Sequence, residues 1–477
     1  MNYRIISRTL GLVLGIEAAL MLLPAAVALY YHEEMFAWIV TIAVTAACAG
    51  ILLLFKPKKR ALYAREGFVG VAGSWVLMSV FGALPFRISG EIPSFVDAMF
   101  EVVSGFTTTG SSILTDVEAM SRSLLFWRSL THWIGGLGVL VFVLAVMPLA
   151  NNNAMHIMRA EVPGPTVGKI VPRARKTARI LYTIYLVLTA VQVALLLAGG
   201  MPLFDALIHA FGTAGTGGFS NRALSVGAYE SPYIEWVIAI FLVIFSINFN
   251  LYYLVLCGGW KDALKDSELH LFGVIVAAAT AIITFNVLPL YDGFSSALRG
   301  AFFQVTSIIS TAGFATTDFN LWPELSRWVL VILMFCGACA GSTGGGVKVG
   351  RVLLMGRATH CEMRRMIRPR TVNRVMINGK IVDDDTIRGS LIFFFMYILL
   401  LLACTLIISL DGFDMTTNFT AALTCISNVG PGFGLVGPMG SFAMYSPLSK
   451  VVLTVTMLIG RLEIFPILIL FSPSLWK

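Results

Sequence analysis

The sequence predicts an all-α polytopic membrane protein in which one unit, a span outward, a short helix, a polar loop and a span back, is written four times behind an N-terminal pair of spans. Three observations carry that expectation. The 477-residue chain is 57% hydrophobic and 13% charged, with a mean hydropathy of +0.83, whereas soluble domains devote about a quarter of their residues to charge. Polar loops recur about every hundred residues, a period too long for a solenoid: Thr107-Thr108-Thr109-Gly110, Thr216-Gly217-Gly218-Phe219, Thr311-Ala312-Gly313-Phe314 and Asn428-Val429-Gly430-Pro431. Lysine and arginine also collect in alternate connections, the sidedness that orients membrane proteins.

Residues 1–65 read as a two-helix extension, with spans at 10–31 and 36–55. The acidic turn His32-Glu33-Glu34 faces outward, and Lys56, Lys58, Lys59, Arg60 and Arg65 face the cytoplasm. Repeat 1 (66–179) has an outward span at 67–84, a short helix at 94–105 and a return at 124–150, then a basic loop with Arg159, Lys169, Arg173, Arg175, Lys176 and Arg179. Repeat 2 (180–268) places these parts at 180–197, 203–213 and 233–256, ending at Lys261 and Lys265. Repeat 3 (269–387) places them at 269–290, 295–309 and 326–350, with a glycine-rich interruption over 337–347 and a basic stretch from 351 to 388. Repeat 4 (388–477) places them at 390–410, 416–427 and 448–471, with a short tail. Short apolar stretches of this kind suit re-entrant helices rather than crossings. The expectation is therefore ten crossings, four half-helices, no cleavable signal, and both termini in the cytoplasm of a multi-pass cell-membrane protein.

A net charge of +8 raises the question of nucleic acid, but the basic residues lie in loops between spans, where orientation explains them. The seven cysteines show no metal-ligand spacing. No nucleophile, base and orienter stand together, so no enzyme is expected. A proton-coupled carrier needs a titratable group on the path, and none of the four loops contains Asp or Glu.

Nine residues before Gly110, Gly218, Gly313 and Gly430 stand Glu101, His209, Gln304 and Ala421, each inside a short helix, so the register of helix to loop is constant. A helix ending at mid-membrane turns its negative end to the loop and attracts a cation. Glycine lets backbone carbonyls turn to a common axis, and the hydroxyls of Thr107, Thr108 and Thr109 are further hard oxygen ligands. A packing kink explains any one loop as well. Four loops in one register favour a shared site. Gly105, Gly212, Gly215 and Gly217 read equally as helix-packing positions.

The run from Gly337 to Gly346 holds five glycines in a returning span. It is either tight helix packing or a break whose loop lies beneath the four polar loops. Arg461, inside the last span, needs a buried partner. Glu463 does not share its face, which leaves backbone carbonyls of the 337–347 loop, with snorkelling to the membrane edge as the alternative. Arg128 and His132 are expected to brace the repeats, and the outer carboxylates to draw cations to the mouth.

Phe126-Trp127-Arg128-Ser129, Trp133-Ile134-Gly135-Gly136, Ser310-Thr311-Ala312-Gly313-Phe314, Gly341-Ser342-Thr343-Gly344-Gly345-Gly346-Val347-Lys348 and Asn428-Val429-Gly430-Pro431-Gly432 follow Thr107 to Gly110 in this order. With them the chain resembles the TrkH/TrkG/KtrB family of potassium-uptake proteins, on the TrkH-like branch with its extra pair of spans. The resemblance implies repeats like K⁺-channel protomers and a selectivity filter at Thr108, Thr109, Gly110, Thr216, Gly217, Gly218, Thr311, Ala312, Gly313, Asn428, Val429 and Gly430. It implies K⁺, the permeating ligand, on the carbonyls of Thr108, Thr109, Thr216, Gly217, Thr311, Ala312, Asn428 and Val429, and no cofactor in the chain. Gly110 implies K⁺ selectivity, since relatives with serine there admit more Na⁺. The second loop is richer in glycine than the family pattern, so the ring is expected to be uneven, with most weight on Gly110, Gly313 and Gly430. An intramembrane gate is implied at Gly341, Ser342, Thr343, Gly344, Gly345, Gly346 and Val347, with Lys348 at its cytoplasmic end and Arg461 below the filter. A homodimer on a cytosolic TrkA/KtrA-type nucleotide-binding regulatory subunit is implied too. Na⁺- or H⁺-coupled potassium symport and a less selective monovalent cation channel stay open as alternatives.

Overall fold

Tyr3–Leu20 (α1) and Leu22–Tyr30 (α2) form one span, and Phe36–Leu53 (α3) returns beside it. The helix starts earlier than residue 10 because the Asn2 side chain accepts the Ile5 amide, a cap for one of the orphan donors of the first turn. In this computed structural model the described residues are 1–55, 64–136, 138, 174–369, 374–470 and 472–473. Lys56, Lys58, Lys59, Arg60, Arg159, Lys169 and Arg173, the side chains of Arg175 and Lys176, and all of the first return beyond Gly136 except Gly138 lie outside them.

Four units follow. The outward spans are Ala64–Ser89 (α4), Ala174–Ala198 (α7), Ser267–Val287 (α12) and Asp384–Ile408 (α16). The half-helices are Phe95–Phe106 (α5), Leu203–Gly215 (α8), Phe294–Ile309 (α13) and Met415–Ser427 (α17). At 12 to 16 residues they reach about 18–24 Å, short of an apolar core of about 30 Å. The return helices are Arg122–Gly136 (α6), Pro232–Ser246 (α9), Glu324–Cys336 (α14) and Pro447–Arg461 (α18). Each return helix packs on the half-helix of the next unit: α6 on α8, α9 on α13, α14 on α17, and α18 back on α5. That closes the units into a ring.

Not every expected crossing is one unbroken helix among the described residues. Among the described residues six helices are long and apolar enough to cross a membrane, and α9 with Phe249–Leu256 (α10) makes a seventh only as a pair bent by 88°. The sequence marked one broken return, the third, but the second and fourth break as well. Ile247 is extended and Asn248 caps α10 through the Asn250 amide, which redirects the chain after α9. After α18, Glu463 and Ile464 both adopt positive φ, and Phe465–Leu470 (α19) starts afresh. The third break runs from Gly337 to Lys348 between α14 and Val349–Ile367 (α15), with positive φ at Gly337, Gly341 and Gly346.

Two short elements connect these spans. Trp260–Leu264 (α11) precedes α12, and a two-stranded hairpin, Met376–Ile377 (β1) with Lys380–Ile381 (β2), stands between α15 and α16. Asn378 and Gly379 form its turn, both at positive φ, as a two-residue hairpin turn requires. Asp414 caps α17, and hydrogen bonds from the Thr417 hydroxyl and amide hold its carboxyl below the usual range.

Candidate functional site: a ring of four backbone loops

All four half-helices end the same way. The residue two before each chosen glycine is left-handed: Thr108 (φ 54°), Thr216 (55°), Thr311 (64°) and Asn428 (55°). The amide of the following residue reaches back five positions, Thr109 to Ser104, Gly217 to Gly212, Ala312 to Ser307 and Val429 to Thr424, at 2.8–2.9 Å. This is the Schellman helix end. A β-branched residue in that conformation is unusual, and three of four here are threonines, held by complete burial. Each glycine is again left-handed, with φ of 83°, 77°, 79° and 102° for Gly110, Gly218, Gly313 and Gly430.

The glycines close the ring. A side chain on Gly110 would land on the Gly217 carbonyl oxygen, one on Gly218 on that of Ala312, one on Gly313 on that of Val429, and one on Gly430 within 2.8 Å of that of Thr109. Each loop therefore presents one carbonyl to the glycine of the neighbour before it, and the fourth glycine meets the first loop. The second loop, despite its extra glycine, has the backbone of the other three, so the expected unevenness is not in its conformation.

Buried carbonyls normally accept a hydrogen bond. No donor among the described residues reaches the carbonyl oxygens of Thr108, Thr109, Thr216, Gly217, Thr311, Ala312, Asn428 or Val429. Their residues are all buried. Hydroxyls contribute less than expected: those of Thr107 and Thr109 bond each other at 2.7 Å, and Asn428 Nδ2 donates to Thr109, which leaves Thr108 Oγ1 unpartnered among the described residues.

The constant register has a structural purpose that the sequence left unstated. Glu101 accepts from the Ser112 hydroxyl and the Ile113 amide, His209 pairs with Ser220, and Gln304 with Thr316, so each braces the outer limb of its own loop. In the fourth unit Ala421 has no polar group and the neighbouring Thr420 bonds the Phe433 amide instead. Arg128 braces as expected: it meets Glu101 at 2.5 Å, donates to the Ser220 carbonyl and lies 3.4 Å over the Phe219 ring. Removing one member of this buried pair strands the other charge, at about 3–5 kcal/mol. His132 contacts the Gly105 carbonyl and accepts from the Phe219 amide. Gly105, Gly212 and Gly215 are packing positions, against Thr131, Phe314 and His132.

Directly beneath the ring lies the 337–348 segment. The Gly345 amide donates to Thr311 Oγ1 at 2.7 Å, and a side chain on Gly345 would meet the Ser427 carbonyl. It fills the break in the second return: the Cys339 amide bonds the Ser246 carbonyl, the Thr343 hydroxyl that of Phe245, and the Phe249 amide the Gly341 carbonyl. Thus the second break and the glycine-rich segment satisfy each other's backbone. Arg461 is buried and donates to the carbonyls of Thr343 (2.8 Å), Gly135 (2.5 Å) and Gly136 (2.7 Å). Lys348, also buried, donates to the Gly344 carbonyl.

The sequence matches the TrkH family, described as cation transport protein, over residues 34–477. The chain belongs to the TrkH family. It is 36% identical over 487 aligned positions to the Trk system potassium uptake protein TrkH of Salmonella typhimurium, covering all of both chains. It is 34% identical to the Trk system potassium uptake protein TrkG of Escherichia coli K12, covering 100% of this chain and 99% of that one. The crystal structure of the potassium transporter TrkH from Vibrio parahaemolyticus superposes with a TM-score of 0.90 at 33% identity, over all of both chains. Membership in a transport family agrees with the absence of an enzymatic constellation in the sequence, and the fold is the all-α polytopic one expected.

Two groups escaped the sequence reading of this TrkH-family chain. Glu463, set aside because it does not share the face of Arg461, pairs with Arg351 at 2.5 Å, and Arg351 lies 4.0 Å over Phe393. Glu268 accepts the Ala340 amide at 2.6 Å. Both join residues far apart in sequence, and no local pattern marks them. Of the outer carboxylates read as cation attractors, Asp97 pairs with Lys450 (2.7 Å), Asp205 and Glu118 with Arg222 (3.6 and 3.8 Å), and Glu324 with Arg327 (2.5 Å). The Asp97–Lys450 and Glu118–Arg222 pairs join different units.

Proposed function

We propose that this chain takes up potassium through a single-subunit pore whose selectivity filter is the four-loop ring. The observation that carries it is the set of eight buried carbonyls that no donor among the described residues reaches. Oxygen dipoles held by Schellman ends can replace the hydration shell of a bare monovalent cation. The half-helices point their negative ends at the same place. No carboxylate enters the ring, so the site suits a weakly bound, passing ion better than a tightly held divalent one. The names of the relatives, potassium uptake proteins, support K⁺ as that ion.

The 337–348 segment, with Lys348 and Arg461, is the gate in this reading. It sits under the ring, small residues let it move without leaving a large cavity, and two buried cations bar the path electrostatically. The termini lie in the cytoplasm. The basic surface after the third unit suits docking of a nucleotide-binding regulatory subunit of the TrkA/KtrA type, and the chain works as a homodimer with one pore in each copy. The relatives' description as parts of a Trk system fits a multi-component assembly.

The test is ⁸⁶Rb⁺ uptake into liposomes holding the purified chain, with K⁺ and Na⁺ as competitors. Uptake blocked by K⁺ at concentrations where Na⁺ has little effect is expected. No uptake, with or without a cytosolic regulator, overturns the proposal.

A further inference from the structure

The first turn of α12 is tied at three consecutive residues to parts far away in sequence. Asp266 caps the helix through the Leu269 amide with one oxygen (2.9 Å) and accepts Asn378 Nδ2 with the other (2.6 Å). The Ser267 amide donates to Asn378 Oδ1 at 2.8 Å. Glu268 then turns inward, where it accepts the Ala340 amide at 2.6 Å. Gly350, in the first turn of α15, lies against the same carboxylate: a methyl there would stand 2.9 Å from Oε1. The positive end of α15 favours a carboxylate at this spot.

We infer that Glu268 is a positioning residue that clasps the intramembrane segment from the cytoplasmic side, and that the hairpin turn at Asn378 sets where the clasp sits. The hairpin stands exposed at the cytoplasmic face, with Met376 and Ile381 paired across it and both turned to solvent. A shift of its tip moves the Asp266 and Ser267 contacts, and with them the Glu268 carboxylate. Ala340 is the first residue that feels this. It adjoins Gly341, whose positive φ and bond to the Phe249 amide place it at a bend of the segment. A charged acceptor is suited to the task, because hydrogen bonds to charged groups outweigh neutral ones. The inference rests on the gate reading above, but its test needs no ion flux.

Cys339 supplies the probe. It is a buried free thiol inside the segment, and Cys404 and Cys425 are buried free thiols in the fourth unit. The purified full chain in liposomes is treated with N-ethylmaleimide, and alkylation at each cysteine is read by mass spectrometry. Glu268→Ala is expected to speed alkylation of Cys339 about tenfold, the loss of one hydrogen bond to a charged acceptor, with Cys404 and Cys425 unchanged. Glu268→Gln, which keeps an acceptor oxygen, restores much of the protection. Asn378→Ala, on an exposed turn, speeds Cys339 by a smaller factor and adds nothing in the Glu268→Ala background. An unchanged rate at Cys339 in Glu268→Ala, equal acceleration at all three cysteines, or no effect of Asn378→Ala each overturns the inference. Because these rates do not depend on transport, a failure of K⁺ uptake is separately visible in the flux assay.

Discussion

Gly110→Ser should lower the preference for K⁺ over Na⁺ about tenfold, an energy difference of about 1.4 kcal/mol, in competition uptake of ⁸⁶Rb⁺. Two effects act together. At φ 83° an L-residue pays about 1–2 kcal/mol for the left-handed backbone. Its Cβ would also occupy the place of the Gly217 carbonyl oxygen, so that oxygen must leave the ring or the first loop must retreat. Either movement spoils the cage that the proposed filter needs to match K⁺ more closely than Na⁺. Since the contact is cyclic, Gly218→Ser, pressing on the Ala312 carbonyl, should do similar damage. A selectivity ratio unchanged in both variants would contradict the role given to the ring.

Arg461→Ala should raise basal uptake about tenfold or more while leaving selectivity nearly intact. The guanidinium holds three carbonyls from two units, Thr343 under the ring and Gly135 and Gly136 at the end of α6. Hydrogen bonds to charged donors contribute about 1.5–3 kcal/mol each, so losing even one such contact to the segment shifts its closed state appreciably. The same change removes a positive charge from the proposed ion path. Arg461→Lys should fall between, because a single ammonium cannot span the same fork of acceptors. Basal uptake equal to that of the native chain in Arg461→Ala would remove Arg461 from the gate.

Much of this was legible in the sequence for a definite physical reason. Glycines that must adopt positive φ beside another backbone cannot be exchanged for other residues, so Gly110, Gly218, Gly313 and Gly430 advertise themselves, and the constant distance to Glu101, His209 and Gln304 reflects a brace that each loop needs. An arginine in an apolar span has to be paid for by acceptors, which made Arg461 visible together with the kind of partner it found. Other features left no trace. The break after Ser246 has no run of glycines and is marked only by Ser246, Asn248 and Asn250, and it exists because the third unit supplies the amides of Cys339 and Thr343 to its free carbonyls. Glu268 and Glu463 look like ordinary charges at the ends of spans, and their partners Ala340 and Arg351 are set by tertiary packing alone. The left-handed threonines run against residue preference, so they emerge only from the helix ends that enforce them.

In the proposed function the eight carbonyls hold a dehydrated cation on the axis of the ring. Crystals of the chain grown in Rb⁺ and measured at the rubidium absorption edge test it most directly. Anomalous peaks are expected on the axis, ringed by the carbonyls of Thr108, Thr109, Thr216, Gly217, Thr311, Ala312, Asn428 and Val429, with their loss when Na⁺ replaces Rb⁺. A chain that transports Rb⁺ yet shows no peak within the ring, or peaks only elsewhere, would contradict it.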